Sequence, residues 1–373
     1  MFYFVLFILS IIIYYIFDKK GNNVKNNGWI GLSLMTLLLC VVAGCRDYGI
    51  GTDTLYYSGD YFYFSNHFTL IEVLNKDKIG EQLAVGYFLL NKLAISLYND
   101  MSSPLFLTEF CILGGSLFVF KKFQHLYRFN YLLLIALYLF LYYNQTLNYM
   151  RQLCAVTFTF ASYYSFIIKK YRQCLIWLFV AYLFHTSAVG GIIPIAIYCV
   201  ANVEARKKRK ILVIIYLLAL VVASLAFNAL LVFMAGNGII LDIYADRYGE
   251  DNSFGGDFST SQVLYILIGY LLIFISYKKN ILTIKQNYLA FLLHTTNLVM
   301  VLMGLYAFFL FRIAFFIVLP DLLYQVIILS SKKVNLLVRF VFVILTMLLW
   351  LNLYIIHNNC ETFPYKSYIL GFY

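Results

Sequence analysis

The stretch "FYFVLFILSIIIYYIF", residues 2–17, carries no charged side chain, has no basic residue ahead of it and no small-residue cleavage site after it. A secretory signal peptide normally shows both of the missing features, so the run reads as a retained membrane span. Runs of the same kind recur as far as Tyr354, with short polar breaks between them. A hydrocarbon core about 30 Å thick needs roughly 20 apolar residues per helix, which makes the chain a multi-span membrane protein. Composition agrees: of 373 residues 63% are hydrophobic and 12% charged, with 35 Phe and 34 Tyr. That lies well outside the range of soluble globular domains. The expected fold is an all-α polytopic membrane protein, a single integral domain over residues 1–373.

Basic residues cluster at the breaks: Lys19, Lys20 and Lys25; Lys121, Lys122 and Arg128; Lys169, Lys170 and Arg172; Arg206 to Lys210; Lys278, Lys279 and Lys285; Lys332, Lys333 and Arg339. The positive-inside rule assigns all six clusters to the cytoplasm, and this sets the parity of the spans between them. Between Lys25 and Lys121 lie three apolar stretches where parity allows two crossings. The weakest, "LAVGYFLLNKLAISLY" (83–98), has Asn91 and Lys92 at its centre and reads as an amphipathic helix in the outer interface. Residues 174–201 fit a short broken hairpin turning at "HTSAVGG", and residues 288–330 fit two crossings with a turn near Gly304. The sum is about twelve transmembrane helices with both chain ends outside. Residues 46–103, 235–260 and 357–373 then lie on the outer face.

The outer side holds most of the 17 acidic residues, many in the second loop, "LDIYADRYGEDNSFGGDFST". The net charge of +11 reflects the inner clusters facing anionic headgroups, so nucleic acid is not implied. The seven cysteines fall mostly inside apolar runs without a Cys-x-x-Cys pair, which points to small core residues rather than a disulfide framework or zinc site.

Polar side chains inside apolar runs are expensive, and they mark where function concentrates. In "YYNQTLNYMRQLCAV" the spacing of Asn144, Asn148, Arg151 and Gln152 puts them on one face if a single helix runs through, lining a cavity. In "FVAYLFHTSAVGGIIP" His185 sits at the turn of the short hairpin beside Thr186, Ser187 and two glycines. "LLHTTNL" around His294 partly repeats that phrase near the cytoplasmic end and reads as coincidence. In "YAFFLFRIAFFIVLP" Arg312 lies roughly 10 Å below the proposed outer turn, where it offers a planar fork of donors. An ion pair, for instance with Glu109, is the competing reading. In "GCRDYGIGTDTLYY" Arg46 stands at the membrane exit, and Gly49 and Gly51 let the loop fold back and present Asp53. All four groups fall at the outer leaflet and suit an anionic, lipid-borne substrate. No metal-ligand spacing, Walker loop or nucleotide fingerprint is present in the sequence, and no cofactor is expected.

"RDYGIGTDTLYY", "NYMRQLCAV", "FHTSAV" and "FRIAFF", in that order along nearly the whole chain, resemble the EpsG-like family of bacterial exopolysaccharide and capsule polymerases, which is related in role to Wzy proteins. The resemblance implies a glycosyltransferase of the bacterial cytoplasmic membrane that joins polyprenyl-diphosphate-linked oligosaccharide repeat units at its outer face. Such a polymerase serves exopolysaccharide, capsule or O-antigen synthesis, with a flippase and chain-length regulator proteins as partners. Transfer must stabilise a departing diphosphate and deprotonate an acceptor hydroxyl. Arg151 and Arg312, supported by Arg46, would hold the diphosphate; Gln152 and Asn148 would contact sugar or phosphate oxygens; and His185 or Asp53 would be the base. The rival readings are a flippase or other transporter of the lipid-linked oligosaccharide, an acyltransferase, and a ligase-like transferase with a different acceptor.

Overall fold

The computed structural model describes residues 1–19, 27–74, 84–226, 260–304 and 308–372. It is built from helices, in chain order α1 (Phe2–Lys19), α2 (Asn27–Gly44), α3 (Thr54–His67), α4 (Leu70–Leu74), α5 (Val85–Leu97) and α6 (Ser102–Tyr127). There follow α7 (Tyr131–Thr146), α8 (Met150–Ile167), α9 (Tyr171–Phe184), α10 (Ile192–Ala201), α11 (Arg206–Leu225), α12 (Thr260–Lys278), α13 (Ile284–Met303), α14 (Phe308–Ser330) and α15 (Leu336–Trp350). A π turn, Phe110–Gly114, interrupts α6, and another, Leu351–Ile356, extends α15. The all-helical expectation holds.

The described residues do not confirm the count of twelve spans. Among the described residues four helices are long and apolar enough to cross a membrane: Ser102–Tyr127, Thr260–Lys278, Phe311–Ser330 and Leu336–Ile356. Several others are apolar but shorter, because polar residues and turns cut them below the length a 30 Å core demands. The second outer loop expected at 235–260 falls almost wholly outside the described residues.

The chain divides into two compact units, Met1–Val189 with Phe340–Tyr373, and Gly190–Arg339. In the first unit α1 packs on α2, α3 on α5, and α8 on α9. Aromatic side chains fill its interior, with Phe7 and Phe140 edge-on to Trp350 at 5.7 and 5.6 Å, the arrangement the ring quadrupole favours. The chain between α7 and α8 turns at Leu147–Tyr149, so the single helix needed to align Asn144, Asn148, Arg151 and Gln152 does not exist.

Helix α5 is 13 residues long, about 20 Å at 1.5 Å per residue, and so too short to cross. Tyr87, Phe88 and Asn91 on one face are wholly buried while Leu93 and Leu97 are exposed. Lys92 extends to the carbonyls of Ser65 and Phe68 at the end of α3, which accounts for a lysine in mid-run.

The second unit packs α13 against α14, α12 and α10. A capping box starts α13, with Thr283 and Gln286 satisfying each other's backbone N–H groups. Gly304 ends the same helix, where the sequence places its turn.

Candidate functional site

Loop 45–53 is held by two segments distant in sequence. Gly51 has φ +90, a left-handed conformation that glycine adopts without strain, and a Cβ there would lie 2.7 Å from the Leu147 carbonyl oxygen. The side-chain oxygen of Asn148 accepts from Asp53 N–H at 2.8 Å and from Thr52 Oγ1 at 2.9 Å. The tail supplies the other hold: Gly51 N–H donates to Glu361 O, Asp47 N–H to Lys366 O, Tyr368 N–H to Asp47 Oδ1, and Ser367 Oγ to Cys45 O. Tyr365 reaches deeper, its hydroxyl donating to Val42 O at 2.8 Å while its ring stacks on Phe2 at 4.1 Å. Asp53 begins α3 and makes no capping bond with its carboxylate.

Arg46 does not occupy the exposed position expected of a headgroup ligand. It is 3% exposed, and its guanidinium donates to the carbonyls of Ala43 and Leu147, each at 2.9 Å. Buried Glu109 lies in the same unit and accepts a hydrogen bond from Thr146 at 2.8 Å. Arg46 therefore braces the end of α2 against the α7–α8 turn.

Arg151, on the first turn of α8, donates from Nη1 to Tyr61 Oη at 2.9 Å and lies over the Tyr61 ring at 5.5 Å. Tyr61 Oη also accepts from Ala84 N–H at 2.7 Å, where α5 begins. Two residues further on, Gly86 lets α5 approach the end of α9 closely: a Cβ there would lie 2.7 Å from Phe184 and 3.0 Å from the Leu183 carbonyl oxygen. Phe184 packs on Phe158 of α8 at 5.1 Å, and His185 follows it in extended backbone. Through Tyr61 and the start of α5, Arg151 and His185 are thus brought to the same end of this unit. His185 is half-buried, and its Nδ1 lies 3.1 Å from Ser187 N and 2.7 Å from Ser187 Oγ.

Asn148 and Gln152 are 2% and 3% exposed, so neither faces an open cavity. Asn144 is likewise buried; it accepts from Trp350 Nε1 and donates to Thr362 Oγ1, each at 2.9 Å, and so ties α7 to α15 and the tail. Arg312 belongs to the second unit, where it is half-buried on α14. Among the described residues no group of three or more His, Cys, Asp or Glu side chains is placed to hold a metal ion.

Sequence reading missed three contributors. Tyr61 is one of 34 tyrosines, with nothing in its neighbourhood to single it out. The tail 358–368 reads as a plain terminal segment, because its contacts are made largely by backbone groups. The third had a signal: Asp321 stands alone in the apolar α14, directly after Pro320. It pairs with His294 at 2.9 Å, and the two residues are 3% and 1% exposed. The Asp321 carboxylate also accepts from Asn297 and Gln325, while His294 Nε2 meets the Ile266 carbonyl at 2.6 Å. His294 is therefore a buried junction of α12, α13 and α14, and the repeat around it does mark a polar centre.

No curated protein and no solved structure shows a significant match to the chain. The profile of the EpsG family matches residues 29–367, a span that contains every helix from the body of α2 to the end of α15 and most of the tail. The chain belongs to the EpsG family.

Proposed function

We propose that this membrane protein is a polysaccharide polymerase, a glycosyltransferase that joins polyprenyl-diphosphate-linked oligosaccharides at the outer face of the bacterial cytoplasmic membrane. Membership of the EpsG family makes it an exopolysaccharide-biosynthesis membrane protein. The observation that supports the finer reading is the indirect link of Arg151 to the end of α9, just before His185, through Tyr61 and the start of α5, with Asp53 tied to Asn148 near the start of α8. Arginine matches diphosphate oxygens with a planar array of donors, and a guanidinium already oriented by Tyr61 loses little freedom on binding. In this reading the anomeric carbon is transferred to an acceptor hydroxyl while the diphosphate departs with the bonding electron pair. Gln152 and Asn148 act as internal supports.

The test is lengthening of short synthetic lipid-linked repeat units by purified protein in nanodiscs, without nucleotide sugar. Wild type should give a ladder of products and Arg151→Ala none. An Arg151→Ala protein that elongates normally would remove the diphosphate assignment.

A transporter of the same lipid is the second reading, favoured by the His294–Asp321 pair, because a buried ionisable pair between apolar helices is a common device for proton-coupled movement. Transbilayer movement of the lipid-linked oligosaccharide in vesicles, with no change in glycan length, would decide for it.

A further inference from the structure

We infer that the junction of α12, α13 and α14 is a proton-binding site, in which His294 carries a proton on both ring nitrogens and the Asp321 carboxylate supplies the countercharge. The site belongs to the second unit alone and stands whether the protein polymerises or transports. The Ile266 carbonyl oxygen lies 2.6 Å from His294 Nε2, and a carbonyl oxygen can only accept. Nε2 therefore carries a proton. The other ring nitrogen, Nδ1, faces both oxygens of the Asp321 carboxyl group, Oδ2 at 2.9 Å and Oδ1 at 3.1 Å. One more proton must lie between ring and acid, because lone pairs on both sides at that distance would repel.

The remaining donors decide which group holds it. Asn297 Nδ2 and Gln325 Nε2 donate to Asp321 Oδ2 at 3.3 and 3.1 Å, on the same oxygen that Nδ1 approaches most closely. Several N–H groups on one carboxyl oxygen favour its ionised form. The two amides keep this orientation even though Asn297 Oδ1 and Gln325 Oε1 are left buried without a partner among the described residues. Asp321 is thus the carboxylate, and a carboxylate buried between apolar helices needs a cation beside it. The imidazolium of His294 is that cation, and 2.9 Å is the separation of a charge-assisted N–H to oxygen bond.

The fold makes room for the ring in one place. A Cβ on Gly269 of α12 would lie 2.4 Å from His294 Cε1 and 2.5 Å from Nε2, so only glycine there lets the ring reach the Ile266 carbonyl. The other titratable groups nearby are tyrosines, uncharged near neutral pH. Tyr270 of α12 meets the ring edge-on at 4.7 Å and donates its hydroxyl to Thr295 at 3.0 Å. Tyr216 of α11 is engaged with Thr296 at 2.9 Å, and buried Tyr324 of α14 follows Asp321 by one turn. Helix α10 adds Tyr198 and Cys199, while Arg312 precedes Asp321 on α14 by about 13 Å of helix.

The bound proton therefore links three helices. Its loss from Nδ1 turns a lone pair toward the carboxylate and leaves Asp321 with an unbalanced buried charge, so the junction is held with the proton present and weakened without it.

Solid-state NMR of the full-length protein in nanodiscs at pH 7.5, with ¹⁵N-labelled histidine, reads the protonation directly. Of the five histidines, His67, His125 and His357 are exposed and His185 is half-buried, so replacing these by glutamine leaves His294 as the one signal. Both of its nitrogens should be protonated. Adding Asp321→Asn should remove the Nδ1 proton and keep Nε2–H, since the countercharge is gone while the Ile266 carbonyl still takes a donor. An unprotonated nitrogen with Asp321 in place overturns the inference, and so does an Asp321→Asn protein that keeps both protons. Should Asp321→Asn fail to fold, the first measurement decides by itself.

Discussion

The side-chain oxygen of Asn148 accepts the backbone N–H of Asp53 at 2.8 Å, and this bond joins the turn between α7 and α8 to the loop that leaves α2. The two residues are 95 positions apart, yet the same oxygen also takes the hydroxyl of Thr52. Asn148→Ala leaves a partly buried N–H without its acceptor, at a cost of about 1–3 kcal/mol. A lower thermal midpoint is expected, together with faster labelling of a cysteine placed at Asp53. Unchanged labelling would mean that the tail alone holds the loop.

Arg46 and Arg151 should respond differently to the same substitution. Arg46→Ala leaves the buried Ala43 and Leu147 carbonyls without their donor, at a cost of about 1–3 kcal/mol for each. Loss of monodisperse protein on size exclusion is the expected outcome. Arg151→Ala should yield folded protein whose elongation falls by at least about 100-fold. Stable but inactive Arg46→Ala protein would instead assign Arg46 to substrate.

Gly86 tests the seam between α5 and α9. A methyl group there must displace Phe184 or the Leu183 carbonyl, overpacking that costs about 1–3 kcal/mol and moves His185 with it. Gly86→Ala should therefore slow elongation severely. Gly59→Ala serves as the control, since a Cβ at Gly59 meets nothing within 4 Å, and it should behave as wild type.

Deleting residues 359–373 removes the Glu361 and Lys366 carbonyls that receive Gly51 and Asp47, and with them the hydroxyl of Tyr365 on Val42. The shortened protein should still insert into the membrane, because the helices are untouched. Elongation should be lost and a cysteine at Asp53 should label faster. Full activity after the deletion would show that the tail is not needed to shape the loop.

In the second unit, His294→Ala or Asp321→Ala breaks a buried pair and leaves one partner uncompensated, at a cost of about 3–5 kcal/mol. The double replacement should cost less than the two single costs added together. A double-mutant cycle on thermal midpoints measures that coupling; strict additivity would argue against a direct pair.

The sequence by itself determined the helical membrane class, since long apolar runs broken by basic clusters have few other stable solutions. It also located the break at "HTSAVGG", the turn at Gly304 and the non-crossing length of α5, all of which depend on residues close together in the chain. His185 and Arg151 were legible as polar residues in costly surroundings, and Asp321 carried the same signal.

Only the tertiary structure decided which arginine serves as a brace. Arg46 and Arg151 look alike in sequence, and they differ because the chain turns at Leu147 and aims that residue's carbonyl at Arg46. It also decided that Asn144 ties α7 to α15 and the tail, and that Tyr61 orients Arg151. The physical reason is that hydrogen bonds to backbone carbonyls and N–H groups carry no residue signature. A partner hundreds of positions away contributes a polar group that every residue possesses, and only the fold selects which one is met.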